Sequence, residues 1–163
     1  EITLTENNRK KFESYIQNQD IPHLLFAGQT GSGKTTLAKI ITKSIDCDYL
    51  MINASDENGI DTIRDKVKSF ASSASFRSLK IVILDEADFL TSSAQHALRN
   101  VIETFSARTR FIFTCNHIEG IIDAILSRCT RVTLEPPLKI DIAKYISKIL
   151  ETENIKYNNE SIF

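Results

Sequence analysis

The sequence predicts an α/β protein, a five-stranded parallel sheet with helices on both faces. Three observations lead there. Short apolar runs alternate with segments of helical period from His23 to Leu134. The run Leu24-Leu25-Phe26 passes through a glycine-rich turn straight into a helical segment. The run Lys80–Leu84 ends in two adjacent carboxylates, Asp85-Glu86. Strands joined through helices pair in parallel, are buried on both faces, and bind ligands beyond their carboxyl ends.

Taken in order, Thr5–Gln17 reads as an amphipathic helix with Leu4, Phe12, Tyr15 and Ile16 on its apolar stripe. Asp20–Pro22 resets the backbone before the first strand. Lys34–Thr42 is helical and Tyr49–Asn53 is the second strand. Gly59 opens a helix that carries Ile60, Ile63, Val67 and Phe70, and Ala71–Ser78 is a loop. After the Lys80–Leu84 strand come a helix over Ser92–Phe105, a strand over Arg110–Cys115, a brief helix over Ile121–Leu126 and a strand over Arg131–Leu134. Pro136-Pro137 reads as a hinge. Beyond it Ile142, Tyr145, Ile146, Ile149 and Leu150 mark another helix, and Asn154–Phe163 a turn and a further helix start. The expected division is a nucleotide-binding domain over 1–136 and the truncated beginning of a helical domain over 137–163.

A chain of 163 residues, 42% hydrophobic and 25% charged, suffices for one packed domain and a little more. It contains no apolar run of roughly 18 residues that would cross a membrane. A net charge of −1 gives no support for a globally basic nucleic-acid-binding body. Cys47, Cys115 and Cys129 form no C-x-x-C pair and read as free thiols of a reducing compartment. The polar stretch Asn7–Lys11 stands where a secretory signal needs an apolar core. A start at Glu1 and an end at Phe163 lead us to expect a fragment.

Gly28-Gln29-Thr30-Gly31-Ser32-Gly33-Lys34-Thr35 follows the P-loop pattern G-x-x-x-x-G-K-T, in the strand–turn–helix setting the pattern requires. Glycines let backbone N–H groups turn inward around phosphate oxygens, and the helix start at Lys34-Thr35-Thr36 adds free N–H groups and a positive dipole end. Lys34 is placed to reach the β- and γ-phosphates of a nucleoside triphosphate, and Thr35 to offer its hydroxyl to Mg²⁺. The spacing from Lys34 to Asp85 accommodates a helix–strand–helix that returns to the same sheet edge. Asp85 then holds Mg²⁺, and Glu86 is the general base for the attacking water. Asp88 has two readings, a helix cap or a contact to a neighbouring subunit. Asp85-Glu86-Ala87-Asp88 and Gln29–Thr35 also echo DEAD-box RNA helicases, but their two motifs lie further apart and are followed by a Ser-Ala-Thr motif missing here.

Further motifs are Asn53-Ala54-Ser55-Asp56-Glu57-Asn58-Gly59, Ala94-Gln95-His96-Ala97-Leu98-Arg99, Thr114-Cys115-Asn116 and Ser127-Arg128-Cys129. With the P-loop and Leu84–Asp88 they resemble the AAA+ family, and within it the ATPase subunits of sliding-clamp loaders. The Ser72–Phe76 stretch is similar to the large ATPase subunit of T-even-like bacteriophage loaders, and replication factor C small subunits are nearly as similar. The resemblance implies ATP and Mg²⁺ as cofactors, Asn116 as first sensor of the γ-phosphate, and Arg128 as an arginine finger acting in trans on a neighbour's site. It implies regulatory roles for Asn53, which holds Glu86 inactive until DNA binds, and for Gln95, which links subunits or relays DNA occupancy to the acidic site.

Arg64, Arg77 and Lys80 are the implied contacts to the DNA phosphate backbone. Phe89, Leu90 and Phe105 are the candidates for clamp contact. The implied partners are other loader subunits in a spiral, the sliding clamp and primer–template DNA, with no membrane. The implied location is the cytoplasm (a host's, for a phage) or nucleoid, or the nucleus in a eukaryote. The function implied is ATP-driven opening and loading of the clamp. The alternatives are another AAA+ remodeller, such as a Holliday-junction motor or an initiator loader, or a scaffold subunit without turnover.

Overall fold

In the computed structural model, which describes residues 4–57, 59–136 and 139–153, five strands form one parallel sheet. They are β1 (Leu24–Ala27), β2 (Cys47–Asn53), β3 (Leu79–Asp85), β4 (Thr109–Cys115) and β5 (Thr130–Thr133), in the spatial order β2-β3-β4-β1-β5. Six helices connect and flank them: α1 (Glu6–Asn18), α2 (Lys34–Ser44), α3 (Ile60–Ser72), α4 (Ser92–Phe105), α5 (Asp123–Leu126) and α6 (Lys139–Thr152). Single 3-10 turns at Ala87–Phe89 and Ile118–Gly120 follow β3 and β4.

The apolar strand residues divide by parity, because successive side chains leave a strand on opposite faces. Leu24 and Phe26, Ile81 and Ile83, and Ile112 pack with Phe12 of α1 and Leu37, Ala38 and Ile41 of α2. Leu25, Val82, Leu84, Phe111 and Phe113 pack with Ile63 and Val67 of α3 and Leu98 and Ile102 of α4. Burial on both faces explains why these strands read as continuous apolar runs. Helix starts follow local chemistry: Thr5 and Thr91 cap α1 and α4 by accepting from the N–H groups of Asn8 and Ala94.

The expected elements are present with shifted ends. β2 begins at Cys47 rather than Tyr49, since buried Cys47 pairs in register with buried Leu79. The brief helix before β5 begins at Asp123 rather than Ile121, whose side chain belongs to the core. On α6, Ile140, Ile142, Tyr145, Ile146 and Ile149 are exposed while Ala143 is buried. Asn58, Pro137 and the turn and helix start expected over 154–163 lie outside the described residues, so the domain boundary at 136 stays an expectation. No helix among the described residues is long and apolar enough to cross a membrane.

All three cysteines are free, and burial raises their pKa values to about 11 for Cys47, about 11 for Cys115 and about 12 for Cys129. His23, just before β1, accepts a hydrogen bond at Nδ1 from the Phe111 N–H (3.2 Å). Burial, and then the Arg110 charge, lower its pKa below the ordinary 6.5. The unfolded chain therefore binds this proton first, and stability falls as pH drops below 6.5. We expect the urea midpoint to decline between pH 7 and pH 5.5, and to decline less in His23→Gln.

Candidate nucleotide-binding site

The parallel register sets the carboxyl ends of four strands along one edge. Ala27 pairs with Cys115, Leu84 with Phe113, and Asn53 with Asp85. The P-loop leaves β1 at this edge, with the Gly28 N–H donating to the Cys115 carbonyl (3.3 Å). A Cβ on Gly28 would collide with the Leu134 carbonyl oxygen, so the close approach of two backbones requires glycine. Gly31 and Gly33 have φ of 83° and 91°, the left-handed region that a turn into α2 needs. Ser32 Oγ is buried and lacks a hydrogen-bond partner among the described residues. An orphaned hydroxyl inside a loop of inward-turned backbone fits a cradle for phosphate oxygens.

Lys34 is buried, yet its ammonium donates to three oxygens: the Gly28 and Gln29 carbonyls and Asn116 Oδ1, each at 2.8 Å. Burial lowers its pKa, against the opposing pull of Cys115, Asp85, Asp88 and Glu86. The Thr35 hydroxyl donates to Asp85 Oδ1 at 2.7 Å, and the Thr114 hydroxyl donates to the same oxygen at 2.7 Å. Glu86 adopts φ 54°, rare for a residue with a side chain, and its N–H donates to Thr114 Oγ1 (2.9 Å). An open cleft of about 240 Å³ lies between these groups, lined by Thr30, Gly31, Gly33, Lys34, Thr35, Thr36, Glu86, Thr114 and Asn116.

Asp88 is not the helix cap of its first reading. Thr91 caps α4, whereas Asp88 Oδ2 accepts from the backbone N–H groups of Asn116 (3.1 Å) and His117 (3.0 Å). The acidic turn thus pins the end of β4. Among the described residues no group of three or more His, Cys, Asp or Glu could hold a metal ion. The oxygens of Thr35 and Asp85 are hard donors that need phosphate oxygens to complete a shell, and this fits Mg²⁺ entering with a nucleotide.

The model for the ATPase family associated with various cellular activities (AAA) matches residues 24–137. The chain belongs to the AAA family of ATPases. The replication factor C small subunit of Natronomonas pharaonis is 44% identical over 96% of this chain and 50% of its own length. Replication factor C small subunit 2 of Pyrobaculum islandicum is 38% identical over 99% of the chain and 53% of its own. The chain therefore spans about half the length of these relatives. Among solved structures, the RuvB Holliday junction branch migration motor of Thermotoga maritima superposes with a TM-score of 0.77 over 98% of the chain and 54% of its own, at 18% identity. That likeness shows the AAA fold and carries nothing about the substrate.

The remaining sequence-predicted residues of this AAA module divide into those near the cleft and those away from it. Asn53 ends β2 beside Asp85, and its Oδ1 accepts from the Ser55 N–H (3.1 Å) and hydroxyl (2.9 Å). Gln95 is buried in α4; its Nε2 donates to the Leu90 and Gly120 carbonyls and its Oε1 accepts from the Ile122 N–H. It joins the segments that follow β3 and β4. Arg128, after α5, donates from Nη1 to the Ala124 carbonyl (2.5 Å) and from Nη2 to Glu103, which also accepts from Arg99. These two arginines hold the Glu103 carboxyl below its usual range.

Among the three residues expected to contact DNA, Arg64 is exposed and pairs with Asp61 and Asp65. Arg77 pairs with Asp46 and Asp48. Lys80 requires correction. It is 5% exposed, and its ammonium donates to the carbonyls of Phe70, Ala71 and Ser73 at the end of α3. It caps a helix from inside the protein and presents no charge to a phosphate backbone. For clamp contact, Leu90 is core and Phe105 half-buried, while Phe89 is exposed. Among the described residues the most exposed aromatic is Phe76, in the loop before β3.

Thr114 lines the cleft and is not among the sequence-predicted site residues. Its signal was a lone hydroxyl residue between Phe113 and Cys115 in an otherwise apolar run. Replacing Gly28 by alanine should push the loop away from Leu134. We expect a loss of about 1–3 kcal/mol in stability and roughly tenfold weaker binding of a fluorescent ATP analogue in titration.

Proposed function

We propose that this AAA module is the ATP-hydrolysing part of a sliding-clamp-loader subunit. The observation that carries the reading is the meeting of Lys34, Glu86 and Asn116 around one cleft, with Asp85 joined to it through Thr35. Ser127-Arg128-Cys129 and the similarity to replication factor C small subunits favour a loader over a Holliday-junction motor or an initiator loader. An intact lysine and carboxylate pair argues against a scaffold without turnover.

Backbone N–H groups of residues 28–36 and the Lys34 ammonium bind the triphosphate. Thr35 and Asp85 would hold Mg²⁺, which would supply charge neutralisation during phosphoryl transfer. Glu86 takes a proton from the attacking water, and Asn116 contacts that water or the γ-phosphate. A neighbour's Arg128 stabilises the charge that develops on phosphoryl transfer. Asn53 and Gln95 tie this chemistry to DNA occupancy. Arg64 and Arg77 are the remaining candidates for phosphate contact, and exchanging their surface ion pairs for phosphates costs little. Phe76, Phe89 and Phe105 are the aromatic candidates for the clamp. The partners are further loader subunits, the clamp and primer–template DNA, and the work is done in the cytoplasm or nucleoid, or in the nucleus of a eukaryote.

The deciding measurement is steady-state ATPase of the full-length assembly with and without clamp and primer–template DNA. We expect both to stimulate turnover, and no stimulation by either overturns the reading. Glu86→Gln should lower kcat by about 100-fold or more while ATP still binds; retained turnover removes Glu86 as the base. Arg128→Ala should lower kcat by about 1000-fold, and mixing with Lys34→Ala subunits should restore sites in which the arginine comes from the lysine variant.

A further inference from the structure

We infer that Thr114 is a positioning residue that sets the catalytic conformation of Glu86; the inference rests on the proposed role of Glu86 as base. Glu86 follows β3 in a left-handed conformation, φ 54° and ψ 44°. A residue with a Cβ holds that conformation only where its surroundings over-determine it. Two hydrogen bonds do so here. On one side the Glu86 carbonyl accepts from the Phe89 N–H (2.9 Å), closing the 3-10 turn. On the other side the Glu86 N–H leaves its own strand and donates to Thr114 Oγ1 on β4 (2.9 Å).

The sense of the second bond is fixed by chemistry. An ionised Asp85 only accepts, so the single hydroxyl proton of Thr114 goes to Asp85 Oδ1 (2.7 Å), and its lone pair faces the Glu86 N–H. Thr114 is 1% exposed, so water does not readily replace it. The register makes the contact possible, because Leu84 pairs with Phe113 and sets Thr114 level with Asp85. One hydroxyl therefore orients a carboxylate and, through the backbone, the residue that follows it. Only a short hydroxyl side chain does both. Valine matches threonine in shape but leaves a buried N–H unpaired, and a freed Glu86 can relax out of the left-handed region.

The test uses the full-length assembly and four variants, reading kcat, KM, fluorescent-ATP affinity and thermal midpoint. Thr114→Val is expected to lower kcat about 10- to 100-fold while leaving ATP affinity within about twofold. Thr114→Ser keeps the hydroxyl and is expected to stay within about threefold of the parent in kcat. If the valine variant does not fold, Thr114→Ala, which removes the hydroxyl without adding bulk, is expected to show the same split. Unchanged kcat in Thr114→Val and Thr114→Ala overturns the inference. A parallel loss of kcat and ATP affinity also overturns it, since that is the signature of a collapsed cleft. Glu86→Gln separates the two levels. Retained turnover there removes the base itself, whereas lost turnover there with normal turnover in Thr114→Val removes only the role of Thr114.

Discussion

The parallel pairing of β1, β3 and β4 places Ala27 beside Cys115 and Leu84 beside Phe113, and every group in the cleft depends on that register. A slip by one residue would turn Asp85 and Thr114 to opposite faces of their strands. The register is held by burial on both faces. Phe26, Ile83 and Ile112 are sealed by α1 and α2, and Leu25, Leu84 and Phe113 by α3 and α4. The carboxylates and the lysine are thus carried on strand and helix ends that the apolar layers fix, rather than on long loops.

Where the chain repeats a simple period, the fold was legible. Apolar runs buried on both faces cannot be mistaken for exposed strands, and α3 and α4 show their buried stripes directly at Ile63 and Val67 and at Leu98 and Ile102. Strand ends were less legible, because Cys47 and Thr109 belong to the ladder through pairing partners far away in sequence. The P-loop and Asp85-Glu86 were legible because phosphate chemistry restricts both residue type and spacing.

What could not be read were polar side chains whose partners come from another element. Lys80 looks like a surface charge in a one-dimensional string, yet its strand position aims it at the open end of α3, where carbonyls lack partners. Asp88 looks like a cap for the next helix, and Thr91 takes that place. The Asp88 carboxylate instead reaches Asn116, just past the end of β4 and 28 positions away in sequence. Arg128 stands out in the string through its triplet, but nothing in the string places Glu103 and Arg99 beside it.

These cross-links share one consequence for the cleft. Thr114 ties the start of the acidic turn to β4, Asp88 ties its end to Asn116, and Lys34 ties the P-loop to the Asn116 side chain. The Lys34 ammonium already makes charge-assisted bonds to three neutral oxygens, and a phosphate oxygen would add the attraction of a full negative charge. Under the proposed function, a bound phosphate would displace Asn116 Oδ1 from Lys34, while the Asn116 backbone stays pinned by Asp88. The side chain is then free to turn toward the nucleotide without moving the strand that carries it. Gln95 adds a further tie, joining Leu90 after β3 to Gly120 and Ile122 after β4, so the segments that follow the two strands are fixed to one another.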